Sequence, residues 1–427
     1  MERYDCVIVG SGPAGLGAVF TLSDNRPDMS ILMIDQEGMC TGGLRNDCKM
    51  NFTFPIGFPL EYWEKDTAQK LIEMSVAYLP AQILETRNIS VYRRRAERLG
   101  VELLEIQQSH LGTDEGILLI RELMNKLEKR GVHVSLKETM IDIREEDSCI
   151  LTDRREIRYG RLIIAPGRKG FSFLQRMMDK LQIEYVDNVV DVGVRIETRE
   201  ENYPIVHDYY DPKFLFPEKV RTFCTNSGKA YVVREKYKSS LGKSYYSVNG
   251  HAFSNKREGN GLVNFALLKT VGLTQPLASG QEYAQMLGQL VMLMGGGKPI
   301  MQRVGDFRLG KRSKSESFTG DLYNFEPTLK GCTPGDISLA IPAKILRVIW
   351  KSMKLLDTII PGVMHPSTIM YYPEIKLYAN KPRFLDPYFQ AKQNIYLIGD
   401  GAGTSRGITA AWASGIRAAQ GILICST

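Results

Sequence analysis

Short, uninterrupted apolar runs followed by glycine mark both ends of this chain. Cys6-Val7-Ile8-Val9 leads into Gly10-Ser11-Gly12-Pro13-Ala14-Gly15, Ile31-Leu32-Met33-Ile34 ends at Asp35, and Ile395-Tyr396-Leu397-Ile398 leads into Gly399-Asp400-Gly401-Ala402-Gly403. A run without polar alternation is the pattern of a strand buried on both faces, as in a parallel sheet. A third such strand, Leu162-Ile163-Ile164, precedes Ala165-Pro166-Gly167. The first run predicts a helix from about Pro13 to Leu22, with proline early in the first turn, where its missing N–H costs least. The last predicts a C-terminal helix rich in small residues, which allow close approach to the sheet.

Between these ends the pattern changes. Residues 61 to 109 read as largely helical and polar, with a basic run at Arg93-Arg94-Arg95 and Arg98 that suits a solvated helix face. Thr113 is placed as the N-cap of an amphipathic helix reaching about Arg130, and His110 as a structural residue beside that cap. Short strands are expected at 132–136, 140–144, 148–152, 156–158 and 161–164. Val190, Val192, Val194 and Ile196 then alternate with Asp191, Gly193, Arg195 and Glu197, the period of a strand with one buried face. Strands at 220–225, 229–234, 244–248 and 262–269 extend this into an antiparallel sheet. Gly295-Gly296-Gly297 lacks the flanking strand and helix of a phosphate loop and reads as a turn. Lys311 to Ser315 is a basic, polar loop. Residues 337 to 360 form an amphipathic helix with Ile345, Leu346, Ile349, Met353, Leu356 and Ile360 on one face, which suits docking on the core or, alternatively, on a lipid surface.

Composition narrows the class. With 43% hydrophobic and 24% charged residues in 427, the chain suits two or three globular domains, so long disorder is not the default. A net charge of +7 is too diffuse to argue for nucleic acid, although it suits a phosphorylated cofactor or an acidic substrate. The seven cysteines are scattered without a C-x-x-C, which argues against a redox dithiol, a zinc site or a cluster and for reduced thiols. No metal site is expected. The first strand starts almost at Met1, so a secretory signal is not expected, and no apolar run reaches the roughly 18 residues of a spanning helix. A cytoplasmic location is the expectation, with peripheral membrane contact left open.

The chemistry follows from the glycines. Gly10 permits the tight turn, Gly12 lets backbone approach a pyrophosphate, and Gly15 lets the helix lie close to the strand, while the helix N-terminus offers N–H groups to an anion. Asp35 ends the second strand, 20 residues beyond Gly15, where an acid can hydrogen-bond an adenosine ribose; Gln36 adjoins it and Glu37 offers an alternative. The glycine-bearing loop Gly38 to Lys49, with Gly42, Gly43 and Leu44, is expected to cover the cofactor. Asp400 is placed to accept hydrogen bonds from a polyol. The N–H groups at Gly407 and Ile408 set a positive helix end where a reduced isoalloxazine gathers charge.

Together these segments resemble a two-dinucleotide-binding flavoprotein, with Ala165-Pro166-Gly167 as its middle motif and Gly399-Asp400 as its closing one. More specifically, the chain resembles the FAD-dependent (NAD(FAD)-utilising) dehydrogenase family. The resemblance is carried by His110-Leu111-Gly112-Thr113-Asp114, Ile164 to Arg168, Val192 to Glu197, Arg221-Thr222-Phe223-Cys224, and Gly399 to Gly403 with Arg406-Gly407-Ile408. The chain departs from the family at two places: Cys48 stands for the glycine of its Ser-Asp-Gly-Lys, between Asp47 and Lys49, and Lys376 for the arginine of its Glu-Thr-Arg-Thr-Ser, after Glu374 and Ile375. The resemblance implies an α/β fold: a Rossmann-like three-layer FAD-binding domain from 1–169 and 386–427, with a helical insertion at about 61–112, and an inserted β-rich substrate domain at 170–385. It implies FAD, transient use of NAD(P)H, and hydride transfer between flavin N5 and a small-molecule substrate held between the domains. Lys49, Arg195 and Cys224 are the side chains to test at the flavin edge or substrate, although an exposed strand arginine and an inert buried thiol are the common cases. A flavin monooxygenase, a prenyl-chain reductase and an RNA-associated flavoprotein remain alternatives on the same scaffold.

Overall fold

A computed structural model describes residues 2–38, 42–45, 48–80, 82–187, 189–237, 244–253, 259–273, 279–319, 325–377 and 380–425. It divides into two compact units, one of residues 1–83, 106–187 and 378–427, the other of 84–105 and 188–377.

The first unit is built on five parallel strands in the order Ile395–Leu397, Glu156–Ile164, Glu2–Val9, Ile31–Asp35, His133–Leu136. Both faces are covered, which is why these strands lack polar alternation. Cys6, Ile8, Met33 and Ile163 face the helices Pro13–Asn25 and Ile408–Ile424, while Val7, Val9, Leu32, Ile34 and Leu162 face the layer that includes Phe171–Lys180. Each such buried side chain contributes about 1.5–3 kcal/mol. This is an α/β fold with a doubly covered parallel sheet. Residues 133–136 are its fifth parallel strand rather than the start of a meander. The meander is Met140–Arg144, Cys149–Thr152 and Glu156–Ile164, and the last of these joins two runs read as separate. Gly160 makes that continuity possible, because a Cβ there would lie 2.8 Å from the Asp5 carbonyl oxygen.

Among the described residues between 61 and 109 the helices are Lys65–Ser75 and Ser90–Arg98; much of the expected helical region is turn and coil, with the short strands Glu102–Leu104 and Gln108–His110 near its end. Residues 84–105 belong to the second unit, where Glu102–Leu104 pairs with Lys213–Phe216. The helix after His110 spans Gly112–Lys129, with Leu111 at the cap position and no side-chain cap, so Thr113 lies inside the first turn.

The second unit centres on an eight-stranded sheet that is antiparallel except where Ile300–Arg303 meets Thr333–Pro334. Its longest strands are Val189–Arg199, Leu262–Gly272 and Ile369–Leu377, and the hairpin Ala230–Tyr237 with Tyr245–Ala252 forms a separate two-stranded layer. Residues 190 to 198 are buried on both faces, not one. The odd-numbered face meets the hairpin, where a Cβ on Gly250 would lie 2.2 Å from Arg195 Nη1. The helix Ala343–Ile359 packs on the same strand. Its apolar residues Ile345, Ile349, Met353 and Leu356 are buried against this unit's core, so its apolar face is not offered to a lipid surface. Gly295 to Gly297 form a turn, with Gly296 and Gly297 both at positive φ. Among the described residues no helix is long and apolar enough to cross a membrane, and no disulfide forms.

Candidate functional site

Four loop segments converge at the carboxyl ends of the parallel strands of the first unit, and each is shaped by glycine. Gly10 donates its N–H to the Ile34 carbonyl (2.8 Å) at φ +107°, and a Cβ there would lie 2.2 Å from the Ala165 carbonyl oxygen. Gly15 is equally constrained, since its Cβ would sit 1.9 Å from the Gly10 oxygen. Gly12 differs. Among the described residues no atom outside its chain neighbours lies within 4 Å of where its Cβ would be, and the same holds at Gly167 (φ +61°) and Gly407 (φ +107°). Two glycines therefore close the packing while three line open space, one in each of the three glycine motifs. Pro13 opens the helix behind Gly12, and Ala14 is buried beneath it.

Asp35, at the end of the second strand, braces the glycine turn. Its Oδ2 accepts from the Ser11 N–H (2.7 Å) and the Ser11 hydroxyl (2.6 Å), and its Oδ1 from the Glu37 N–H (2.8 Å). The carboxylate ties the glycine turn to the second strand. Gln36 is exposed and Glu37 half-buried, so these side chains reach toward solvent at the strand end.

The closing motif is held as tightly. Asp400 accepts from the Ser405 hydroxyl (2.9 Å) and the Gly407 N–H (3.1 Å), and Arg168 Nε lies 3.7 Å away. Burial pushes its carboxyl up, while Arg168, Ser405 and the Gly407 N–H pull it back down. The Gly407 N–H is thus turned to Asp400, and the outward N–H groups are those of the first turn of Ile408–Ile424. Thr409, in that turn, is buried with a hydroxyl that has no hydrogen-bond partner among the described residues. Gly399 (φ +80°) sits against Ala14, Gly401 against the Gly167 carbonyl, and Gly43 against Ile408. Trp63 Nε1 donates to the Thr404 carbonyl at 2.7 Å. The small residues of the C-terminal helix serve close contact with another helix rather than with the sheet: a Cβ on Gly415 would lie 2.0 Å from the Ala14 oxygen, and one on Gly17 2.2 Å from the Trp412 oxygen.

Of the loop expected over the cofactor, Gly42–Leu44 is a 3-10 turn with Leu44 buried, whereas residues 39–41, Asn46 and Asp47 lie outside the described residues. Lys49 is half-buried on the short strand Lys49–Asn51, directly opposite His110 on Gln108–His110. His110 is therefore a strand residue paired with Lys49, and it also adjoins the cap residue Leu111. Cross-strand partners share a face, so Lys49 and His110 lie on one side with Asn51 and Gln108, and Met50 and Ser109 on the other.

Arg195 and Cys224 lie together in the second unit. Arg195 is completely buried, contrary to the expected exposed strand arginine. Its Nε and Nη2 bind Glu374 at 2.7 and 2.9 Å, and Nη1 binds Asn264 Oδ1 (2.7 Å) and the Cys224 carbonyl (3.1 Å). Lys376 Nζ lies 3.1 Å from the same Glu374 carboxylate. Cys224 is half-buried at φ +51°, where the strand Val220–Asn226 shifts register, and the Asn226 amide donates to its carbonyl (3.1 Å). Asn226, Asn249 and Asn264 complete this cluster; none of them stands out in the sequence, because they meet only when separate strands align. Among the described residues, no group of three metal-ligating side chains gathers.

No family model matches the chain. A stretch of 67 residues, 14% of the chain, is 36% identical to an uncharacterized protein of Methanosarcina barkeri (strain Fusaro / DSM 804), and spans only 17% of that relative's length. Among solved structures, the chain is similar to L-proline dehydrogenase from P. horikoshii (10% identity, TM-score 0.44, covering 100% of this chain and 95% of that one). It is similar also to glycine oxidase from Bacillus cereus (9%, 0.43, 99% and 95%) and to a geranylgeranyl bacteriochlorophyll reductase-like protein from Thermoplasma acidophilum (12%, 0.41, 98% and 78%).

Proposed function

We propose that this chain is an FAD-dependent oxidoreductase whose first unit holds the cofactor and whose second serves the substrate. The observation that carries the reading is the open space at Gly12, Gly167 and Gly407, at the ends of adjoining parallel strands and beside two helix N-termini. Backbone N–H groups at a helix start bind phosphate without a side chain, and an extended dinucleotide needs such bare backbone along its length. In this reading Gly12 and the helix start at Pro13 and Ala14 take the pyrophosphate, in a turn shaped by Gly10 and Gly15, and Asp35 with Gln36 and Glu37 takes the ribose. Gly42, Gly43 and Leu44, together with Ala165, Pro166 and Gly167, border the middle of the cofactor. Gly399 and Asp400 hold its polyol, and the first turn from Gly407 through Ile408 to Thr409 stabilises negative charge on its ring.

Bound FAD would supply the hydride chemistry. The protein's task is to orient and to place charge. Lys49 and His110, on one ribbon face, are suited to hold an acidic group of a substrate. Arg195 spends its donors on Glu374, Asn264 and the Cys224 carbonyl, so it acts on the site by fixing the strand that bears Cys224. NADPH or NADH docks transiently as the electron donor. The test is anaerobic addition of either nucleotide to the FAD-loaded protein. Loss of the flavin band near about 450 nm is expected, and a band unchanged by both nucleotides would refute nicotinamide as the donor. Lys49→Met should then slow reoxidation by acidic substrates without altering the spectrum of bound FAD.

A further inference from the structure

The outward face of the helix Ala343–Ile359 in the second unit is basic: Lys344, Arg347, Lys351 and Lys354 are all exposed at spacings of three and four. Beside it lies the one-turn segment Pro217–Lys219. Lys351 Nζ is 3.0 Å from Glu218 Oε1, and Lys269, on the strand Leu262–Gly272, donates its ammonium to the Glu218 carbonyl oxygen. Lys219 is exposed next to it. Lys351, Arg347 and Lys269 thus surround the Glu218 carboxylate, and Lys219 and Lys344 approach Lys269.

The cluster is electrostatically unbalanced. Lys351, then Arg347 and Lys269, hold the Glu218 carboxyl below its usual range. The Lys269 ammonium is pushed down by partial burial and by the charges of Lys219 and Lys344, offset by Glu218 and by Asp191. Asp191 is engaged by Arg221 and Thr270, at 2.7 and 2.6 Å. The backbone is strained at the same place, for Glu218 and Lys219 are consecutive non-glycine residues at φ +63° and +57°. Strain and repulsion together are a pattern of functional sites.

We propose that this patch binds a ligand carrying two or more phosphate groups. Phosphate suits a site that combines an arginine fork with lysine point charges. More than one phosphate is required by the spacing, because Lys344 and Lys351 stand two turns apart, about 10.5 Å along the helix axis. The phosphates can belong to a free polyphosphate or to an array of anionic lipid headgroups.

The experiment uses the full chain at low salt. Inorganic tripolyphosphate is titrated by calorimetry, and phosphatidylglycerol and phosphatidylcholine vesicles are tested by co-sedimentation. Tripolyphosphate is expected to bind one to one. Lys344→Gln with Lys351→Gln should weaken it by about tenfold or more, while Lys311→Gln with Lys314→Gln, an equal charge loss in the basic loop, should change it by less than about twofold. Glu218→Gln should tighten binding by about threefold, a gain that no misfolded variant can mimic. Binding to phosphatidylglycerol vesicles alone, with the same dependence on Lys344 and Lys351, would support the site and assign the phosphates to headgroups. Failure of both ligands to bind, or equal losses in the two double variants, would overturn the proposal.

Discussion

The two units keep their distinctive residues in opposite states. In the first, the strand ends are bordered by bare backbone, with open space at Gly12, Gly167 and Gly407 and a buried Thr409 hydroxyl without a partner among the described residues. In the second, the buried charges are turned to one another: Arg195 and Glu374 are both fully buried and bound to each other twice, although Asn264 Nδ2 and Lys376 Nζ beside them lack a hydrogen-bond partner among the described residues. A surface that leaves backbone groups uncovered has bonds to offer a ligand. A cluster whose charges are already matched has committed them to the fold. Conspicuous side chains here mark the packed interior, and missing ones the uncovered backbone.

The largest effect should come from breaking the closed cluster. Glu374→Ala strands the Arg195 guanidinium without a counter-charge and should cost about 3–5 kcal/mol of stability, read from the urea midpoint. An unchanged midpoint would mean that the pair is not the tie described. Next is the open edge. Gly12 has ordinary backbone angles (φ −73°) and free space around it, so Gly12→Val should fold normally. Its side chain would occupy the space assigned to pyrophosphate, and FAD affinity should fall about hundredfold or more, roughly 2.7 kcal/mol. The neighbouring Gly15→Ala should instead destabilise the fold by about 1–3 kcal/mol, because its Cβ meets the Gly10 carbonyl. Normal stability of that variant would erase the distinction between packing and lining glycines.

Smaller effects sharpen the contrast. Asp400→Asn keeps the shape of the closing motif but removes its charge, and should weaken FAD by about tenfold, measured by fluorescence quenching. The smallest effect concerns Glu197, buried in the second unit and bonded to Tyr371 (2.5 Å) and Thr328. Burial raises its carboxyl above the ordinary value of 4.5. A raised acid holds its proton longer when folded, so its contribution to stability is complete below about pH 4.5 and declines as pH rises toward the folded value. Glu197→Gln should flatten the decline of stability above about pH 4.5 in denaturation curves. An equally steep profile in the variant would assign the slope to another group.

The parallel strands were legible because burial on both faces leaves apolar runs that nothing else explains, and the lining glycines because a glycine turn after such a run has few other uses. What escaped has a common physical cause. Three-residue strands such as Lys49–Asn51 and Gln108–His110 carry no periodicity, and only their mutual pairing sets Lys49 opposite His110. The 190–199 strand read as half-exposed because its polar positions looked outward, whereas a second layer covers them and Glu374, 179 positions away, neutralises Arg195. Asp35 was legible as the acid at the end of the second strand, but its bonds to Ser11, an unremarked position between two glycines, were not.

The central claim is that the open glycine edge of the first unit holds FAD. The direct measurement is a calorimetric titration of FAD into the purified wild-type chain and into Gly12→Val, with circular dichroism to verify that both are folded. One FAD per wild-type chain, and none measurable in the variant at equal fold content, is the predicted result. Absence of FAD binding by the wild type, or undiminished binding by Gly12→Val, would contradict the account.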